Sequence, residues 1–177
     1  MKLIYKHGNL LDATTDVIAH QVNCQGVMGS GVAKQIKEKW PKVFESYKRT
    51  CDDSKVYPYT IHDLMGRCDS GPDPNEQKPY IANLHAQLNY GRDGKRYTNY
   101  EALYQSLEHL RQIMLGYKYS SVALPYKMSS DRGGADWNVV LAMIESVFKN
   151  TDITIEIWQY ETDHKDNRKT IHETEGL

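Results

Sequence analysis

Two stretches decide the reading. They are Asn23-Cys24-Gln25-Gly26-Val27-Met28-Gly29-Ser30-Gly31-Val32-Ala33 and Leu124-Pro125-Tyr126-Lys127-Met128-Ser129-Ser130-Asp131-Arg132-Gly133-Gly134-Ala135-Asp136-Trp137. Each follows a short apolar segment, gathers glycine and small polar residues, and runs into a segment with helical spacing. A strand, a glycine-rich turn and a helix N-terminus together offer unpaired backbone N–H groups and the positive end of a helix dipole. Such a turn suits a phosphate. Two of them in one small chain predict a ligand with two phosphates or more, and so a nucleotide-like molecule.

Working outward, apolar runs and alternation predict strands over residues 3–6, 16–23, 56–61, 79–84, 121–126 and 153–160. Spacing predicts helices over 30–40, from Pro41 through Tyr47 to Cys51, over 98–115 and over 137–148. Residues 69–75 and 91–95 are loops on composition. Alternating strands and helices predict an α/β fold, a three-layer α/β/α sandwich with a mixed, mainly parallel central sheet. Ligands bind such sheets at the carboxyl ends of the strands, where both turns fall. Residues 1–160 read as one domain, and residues 161–177, nearly all polar, as a solvated tail.

Composition removes several classes. A net charge of −1 provides no global basic field, so direct nucleic-acid binding is not expected. Three cysteines without a C-x-x-C predict neither a disulfide framework nor a zinc ribbon, and seven scattered histidines predict no metal site. No apolar run approaches the ~20 residues of a membrane span, and the Met1 start has no signal-peptide core. The expectation is a cytoplasmic protein with no membrane partner and no cofactor. The common nucleotide motifs also fail. Val32 and Ala33 stand where a P-loop needs Lys and Ser/Thr, Lys34 breaks a dinucleotide fingerprint, and no Gly-x-Ser-x-Gly occurs.

The pattern Asn23-x-x-Gly26-x-Met28-Gly29-x-Gly31-x-Ala33 resembles the first phosphate loop of macrodomains. Gly8-Asn9-Leu10 resembles that family's Gly-Asp-Ile/Leu, and residues 124–137 resemble its second loop. The resemblance runs over residues 1–160 and lies nearest the ADP-ribose-1″-phosphate phosphatases and phage Appr-1-p processing proteins. It implies an ADP-ribose site. Gly8, Asn9 and Leu10 would serve the adenine, with Asn9 accepting from its amino group. Asn23 would bond the distal ribose. Gly29, Ser30, Gly31 and Val32 would offer backbone N–H groups to one phosphate. Pro125, Met128, Ser129, Ser130, Arg132, Gly133 and Gly134 would wrap the other phosphate and the distal ribose. Trp158 and Tyr160 would wall the adenine, the alternative being plain packing.

Two residues stand as candidates for chemistry. Asp131 replaces a usual glycine of the second loop, and Arg132 an apolar residue. A carboxylate beside diphosphate is otherwise unfavourable, so its presence invites a catalytic role. The alternative is a solvent-facing pair with Arg132. His20 titrates near neutrality and occupies the place of a histidine in the phosphatase-like members. The alternative is a buried, satisfied histidine. The glycohydrolase relatives carry a Lys on a central strand, and Tyr80-Ile81-Ala82-Asn83-Leu84-His85-Ala86-Gln87 has none. Tyr90, Lys95, Arg96 and Tyr97 form either a flap or a solvated loop. The resemblance therefore implies release of phosphate from ADP-ribose-1″-phosphate. Removal of ADP-ribose from proteins, and non-catalytic binding of an ADP-ribose derivative, are the alternatives.

Overall fold

The computed structural model describes residues 1–56, 61–70 and 78–160. Six strands form one sheet: β1 (Lys2–His7), β2 (Val17–Asn23), β3 (Cys68–Ser70), β4 (Tyr80–Gln87), β5 (Ser121–Pro125) and β6 (Thr154–Gln159). Their order is β1-β6-β5-β2-β4-β3, parallel except for β3, which pairs antiparallel with β4. The helices are α1 (Gly31–Lys39), α2 (Pro41–Val56), α3 (Tyr100–Tyr117) and α4 (Trp137–Phe148). The α/β sandwich expected from the sequence is borne out.

Side-chain alternation along β2 separates the two layers. Val17 and Ala19 face the α3/α4 side with Leu103, Leu107, Leu110, Met114, Val140, Ile144 and Phe148. Ile18 faces Ile36 of α1 and Val43 of α2. A sheet covered on both faces buries nearly every strand position, as β2 and β4 show, and their polar residues are buried with the rest. Helix α3 forms where its apolar residues recur every three or four positions. Asn99 caps its start by accepting from the Ala102 N–H at 3.0 Å, and Lys118 ends it in the left-handed region at φ 59°.

Two expectations change. The strand expected over 56–61 does not form at its described ends: Val56 closes α2, and Ile61–Leu64 make a 3-10 turn. No breaker precedes Pro58, so the helix runs on past Cys51. Cys68–Ser70, partly assigned to a loop, is the antiparallel edge strand. Its three residues are too short for a period-2 signal, and the buried β4 beside it supplies the pairing. The remaining expected loop residues 71–75 and the tail 161–177 lie outside the described residues.

The topology fixes the site. β5 and β2 are neighbours at the centre of the sheet and run parallel. The two turns that follow them therefore emerge side by side at one edge.

Candidate functional site

The first turn is built around Asn23. A register shift between Val22 and Asn23 places Asn23 opposite Gln87. Asn23 Oδ1 then accepts from the N–H groups of Gln25 (2.9 Å) and Val27 (3.3 Å), and its Nδ2 donates to the Val27 carbonyl at 2.7 Å. The Tyr47 hydroxyl, fully buried on α2, donates to Asn23 Oδ1 as well. This side chain therefore shapes the turn before it can meet any ribose. Gly26 and Gly31 take φ of 81° and 57°, conformations that suit glycine. Helix α1 follows with no side-chain cap from Ser30 and no acidic residue in its first turn. Its first N–H groups and dipole end are left for an anion.

The second turn works differently. Asp136 caps α4 by accepting from the Asn138 N–H at 2.8 Å, so this helix end already holds a carboxylate. The binding element is the loop itself. Lys127, Ser129 and Gly134 adopt φ of 54°, 69° and 67°, and Ser129 accepts from the Ala135 N–H at 2.9 Å. The sequence made the two turns look equivalent, and the Asp136 cap separates them.

Between the turns lies a cleft of about 540 Å³, in the range of small-molecule sites. Asn23, Gly29, Ser30, Gly31 and Val32 line one side, and Pro125, Met128, Ser129, Asp131, Arg132 and Gly133 the other. Ser130 and Gly134 belong to the second turn but are not among the lining residues. Gly8, Asn9, Leu10, Trp158 and Tyr160 are not either. They sit together at the ends of β1 and β6, joined by a Gly8 N–H to Gln159 carbonyl bond of 3.0 Å. There the Asn9 side chain caps a 3-10 turn through the Leu11 N–H at 3.0 Å. Trp158 packs on the Leu10–Leu11 cluster and donates to Glu156 at 2.8 Å, while Tyr160 is half exposed.

The two chemical candidates lie in contrasting environments. His20 Nε2 donates to Asn83 Oδ1 at 2.8 Å, and Asn83 Nδ2 donates onward to Asp69 at 2.9 Å. Burial pushes its pKa down to about 4, so the ring is neutral near pH 7. His20 Nδ1 is enclosed and has no partner among the described residues. The side chain of Asp131 is 90% exposed and stands 3.9 Å from the Arg132 guanidinium. It is free to meet a ligand in the cleft. Burial raises the Cys24 thiol to about 12 and the Cys51 thiol to about 11, so neither is a thiolate nucleophile.

Several lining residues carried no sequence signal. Gln21, Gln87, Arg92 and Lys127 all face the cleft. Of the four expected flap residues only Tyr90 does. Lys95 and Tyr97 are tied to Asp93 at 3.1 and 2.8 Å, and Arg96 lies over the Tyr100 ring. Three cations and one carboxylate thus border the cleft of a chain whose net charge is −1. Among the described residues no cluster of His, Cys, Asp and Glu could hold a metal ion.

Comparison with known proteins agrees with this arrangement. The chain is 29% identical over 151 residues to the DNA ADP-ribosyl glycohydrolase of Mycobacterium tuberculosis, which is 83% of this chain and 39% of that protein. It thus spans about two-fifths of that relative's length. It is 31% identical over 85 residues to the ADP-ribose 1″-phosphate phosphatase of Aspergillus oryzae, 48% of this chain and 40% of that one. The solved macrodomain of Mycobacterium tuberculosis DarG superposes with a TM-score of 0.73 at 26% identity, covering 88% of this chain and 96% of that one. The Macro domain family model matches residues 19–144, and the chain belongs to the Macro domain family.

Proposed function

We propose that the cleft binds ADP-ribose and that the protein hydrolyses an ADP-ribose derivative at the distal ribose, with ADP-ribose-1″-phosphate as the first substrate. One observation carries this reading. The uncapped start of α1 faces a left-handed backbone loop across a cleft bordered by Arg92, Lys127 and Arg132. The two turns account for the two phosphates of ADP-ribose. The three cations answer a further negative group. In the reaction, water attacks the 1″-phosphorus, the bond between phosphorus and the 1″ oxygen breaks, the 1″ oxygen takes up a proton, and ADP-ribose and inorganic phosphate are the products. In this reading Asp131, exposed at the cleft, moves the proton, and Arg132 beside it holds the departing phosphate. His20, neutral and enclosed, supports the floor of the cleft.

A second reading has its own support. The similarity to the DNA ADP-ribosyl glycohydrolase extends over 83% of the chain, against 48% for the phosphatase. A nucleic-acid phosphate would suit the same three cations. Against this reading, the strand Tyr80–Gln87 carries no lysine for covalent attack. Incubation with ADP-ribose-1″-phosphate, ADP-ribosylated single-stranded DNA and ADP-ribosylated protein separates the readings. Phosphate release supports the first. Free ADP-ribose released only from the DNA supports the second, and from the protein a third activity.

A further inference from the structure

The side-chain amide of Gln21 joins three parts of the cleft that are distant in sequence. Its Nε2 donates to Gln87 Oε1 at 2.7 Å and to Thr98 Oγ1 at 2.9 Å, and its Oε1 accepts from the Ser129 hydroxyl at 2.5 Å. Thr98 Oγ1 donates in turn to the Ser129 carbonyl at 3.2 Å. Gln87 and Thr98 are buried, 8% and 2% exposed, while Gln21 and Ser129 are half-buried where the cluster meets the cleft. Gly133 lies against it. A Cβ there would collide with Thr98 Oγ1 and the Ser129 carbonyl, and would stand 2.9 Å from Gln21 Nε2.

Ser129 holds φ at 69°, a conformation that costs any residue with a Cβ. Glycine would reach it freely. Serine needs a restraint, and two are present: the hydroxyl is held by Gln21, and the carbonyl by Thr98 and the Ala135 N–H. We infer that Gln21 is a positioning residue for the second turn. It locks Ser129 in the left-handed conformation and so presets the backbone of residues 130–133 before ligand arrives. Preorganisation of this kind lowers the ordering cost of binding. The ligand half of the test rests on the reading that the cleft takes ADP-ribose. The loop half does not.

The Ala135 amide reports loop closure, because its hydrogen goes to the Ser129 carbonyl. Its exchange rate is to be measured in the unliganded protein, and ADP-ribose affinity by calorimetry. The variants are Gln21→Met (similar in length, without the amide), Ser129→Ala, Ser129→Gly, and Gln21→Met combined with Ser129→Gly. The expected result is that Gln21→Met and Ser129→Ala each speed Ala135 exchange and weaken ADP-ribose binding, both by about tenfold. Exchange in β5 stays as it was. Ser129→Gly recovers most of both, and in that background Gln21→Met has a smaller effect than in the wild type. Wild-type Ala135 exchange in Gln21→Met, or an equal loss in the two backgrounds, overturns the inference. If Gln21→Met does not fold, the order of Ser129→Ala and Ser129→Gly decides, and exchange as fast in the glycine variant as in the alanine variant overturns it. A wild-type protein that binds no ADP-ribose contradicts the proposed function, while the exchange measurement still decides the role of Gln21.

Discussion

The Tyr47 hydroxyl donates to both oxygens of Asn23, the backbone carbonyl at 2.8 Å and the side-chain Oδ1 at 2.9 Å. A fully buried residue of α2 thus holds the residue from which the first turn is built. Tyr47→Phe keeps the ring and removes the tether. A buried hydrogen bond of this kind is worth about 1–3 kcal/mol once its acceptors are left short. Urea unfolding should show a loss of that size, and ADP-ribose titration a weaker affinity. Unchanged values in both would mean that Asn23 is held by its bonds to Gln25 and Val27 alone.

The start of α1 is open enough to separate charge from sterics. A side chain at Gly31 would meet nothing within 4 Å, and its φ of 57° strains any substitution there by a similar amount. Gly31→Ala and Gly31→Glu therefore share the backbone cost, about 1–2 kcal/mol. Only the second brings a carboxylate to the helix N-terminus proposed to hold a phosphate. Gly31→Glu should abolish ADP-ribose binding while Gly31→Ala weakens it. Equal affinities for the two would move the anion site elsewhere.

His20 makes stability depend on pH. Its pKa is 6.5 in the ordinary case and about 4 in the folded protein, because burial disfavours the charged ring. The unfolded chain takes up the proton first as pH falls. The stabilising contribution is therefore complete above pH about 6.5 and is lost as pH drops toward about 4, by roughly 3 kcal/mol in all. Urea unfolding from pH 7 to pH 4 should show this loss, and His20→Gln should flatten it. An equal slope in both proteins would assign the acid sensitivity to other groups.

Much of the architecture was legible because it rests on local pattern. The apolar run of β2, the three-to-four spacing of α3 and the Asp136-Trp137 start of α4 each sit within one short segment. Reading the sheet as mainly parallel put both turns at the carboxyl ends of strands, while their adjacency came only with the strand order that makes β5 and β2 neighbours. What escaped depends on partners far along the chain. Gln21 reads as an ordinary polar residue until the fold brings it to Gln87, Thr98 and Ser129. His20 could not be told from a titrating histidine until Asn83 and its burial were in place. Lys127 and Arg92 border the cleft only because two loops converge there. Asn9 and Trp158, which the resemblance assigns to the adenine, are not among the residues that line the cleft.

Asp131 separates catalysis from binding. Its exposed side chain is not part of the core, so Asp131→Ala should leave stability within about 0.5 kcal/mol. If it moves the proton, turnover of ADP-ribose-1″-phosphate should fall about 10²–10⁴-fold. Affinity for the product ADP-ribose should change little, since an interaction made only in the transition state does not contribute to ground-state binding. Wild-type turnover in the variant would remove Asp131 from the chemistry.

Titration calorimetry of the wild-type protein with ADP-ribose and with AMP tests the account most directly. Two phosphate turns in one cleft predict micromolar binding of ADP-ribose and much weaker binding of AMP, which carries a single phosphate and no distal ribose. Equal affinity for the two ligands, or no binding of ADP-ribose, would contradict it.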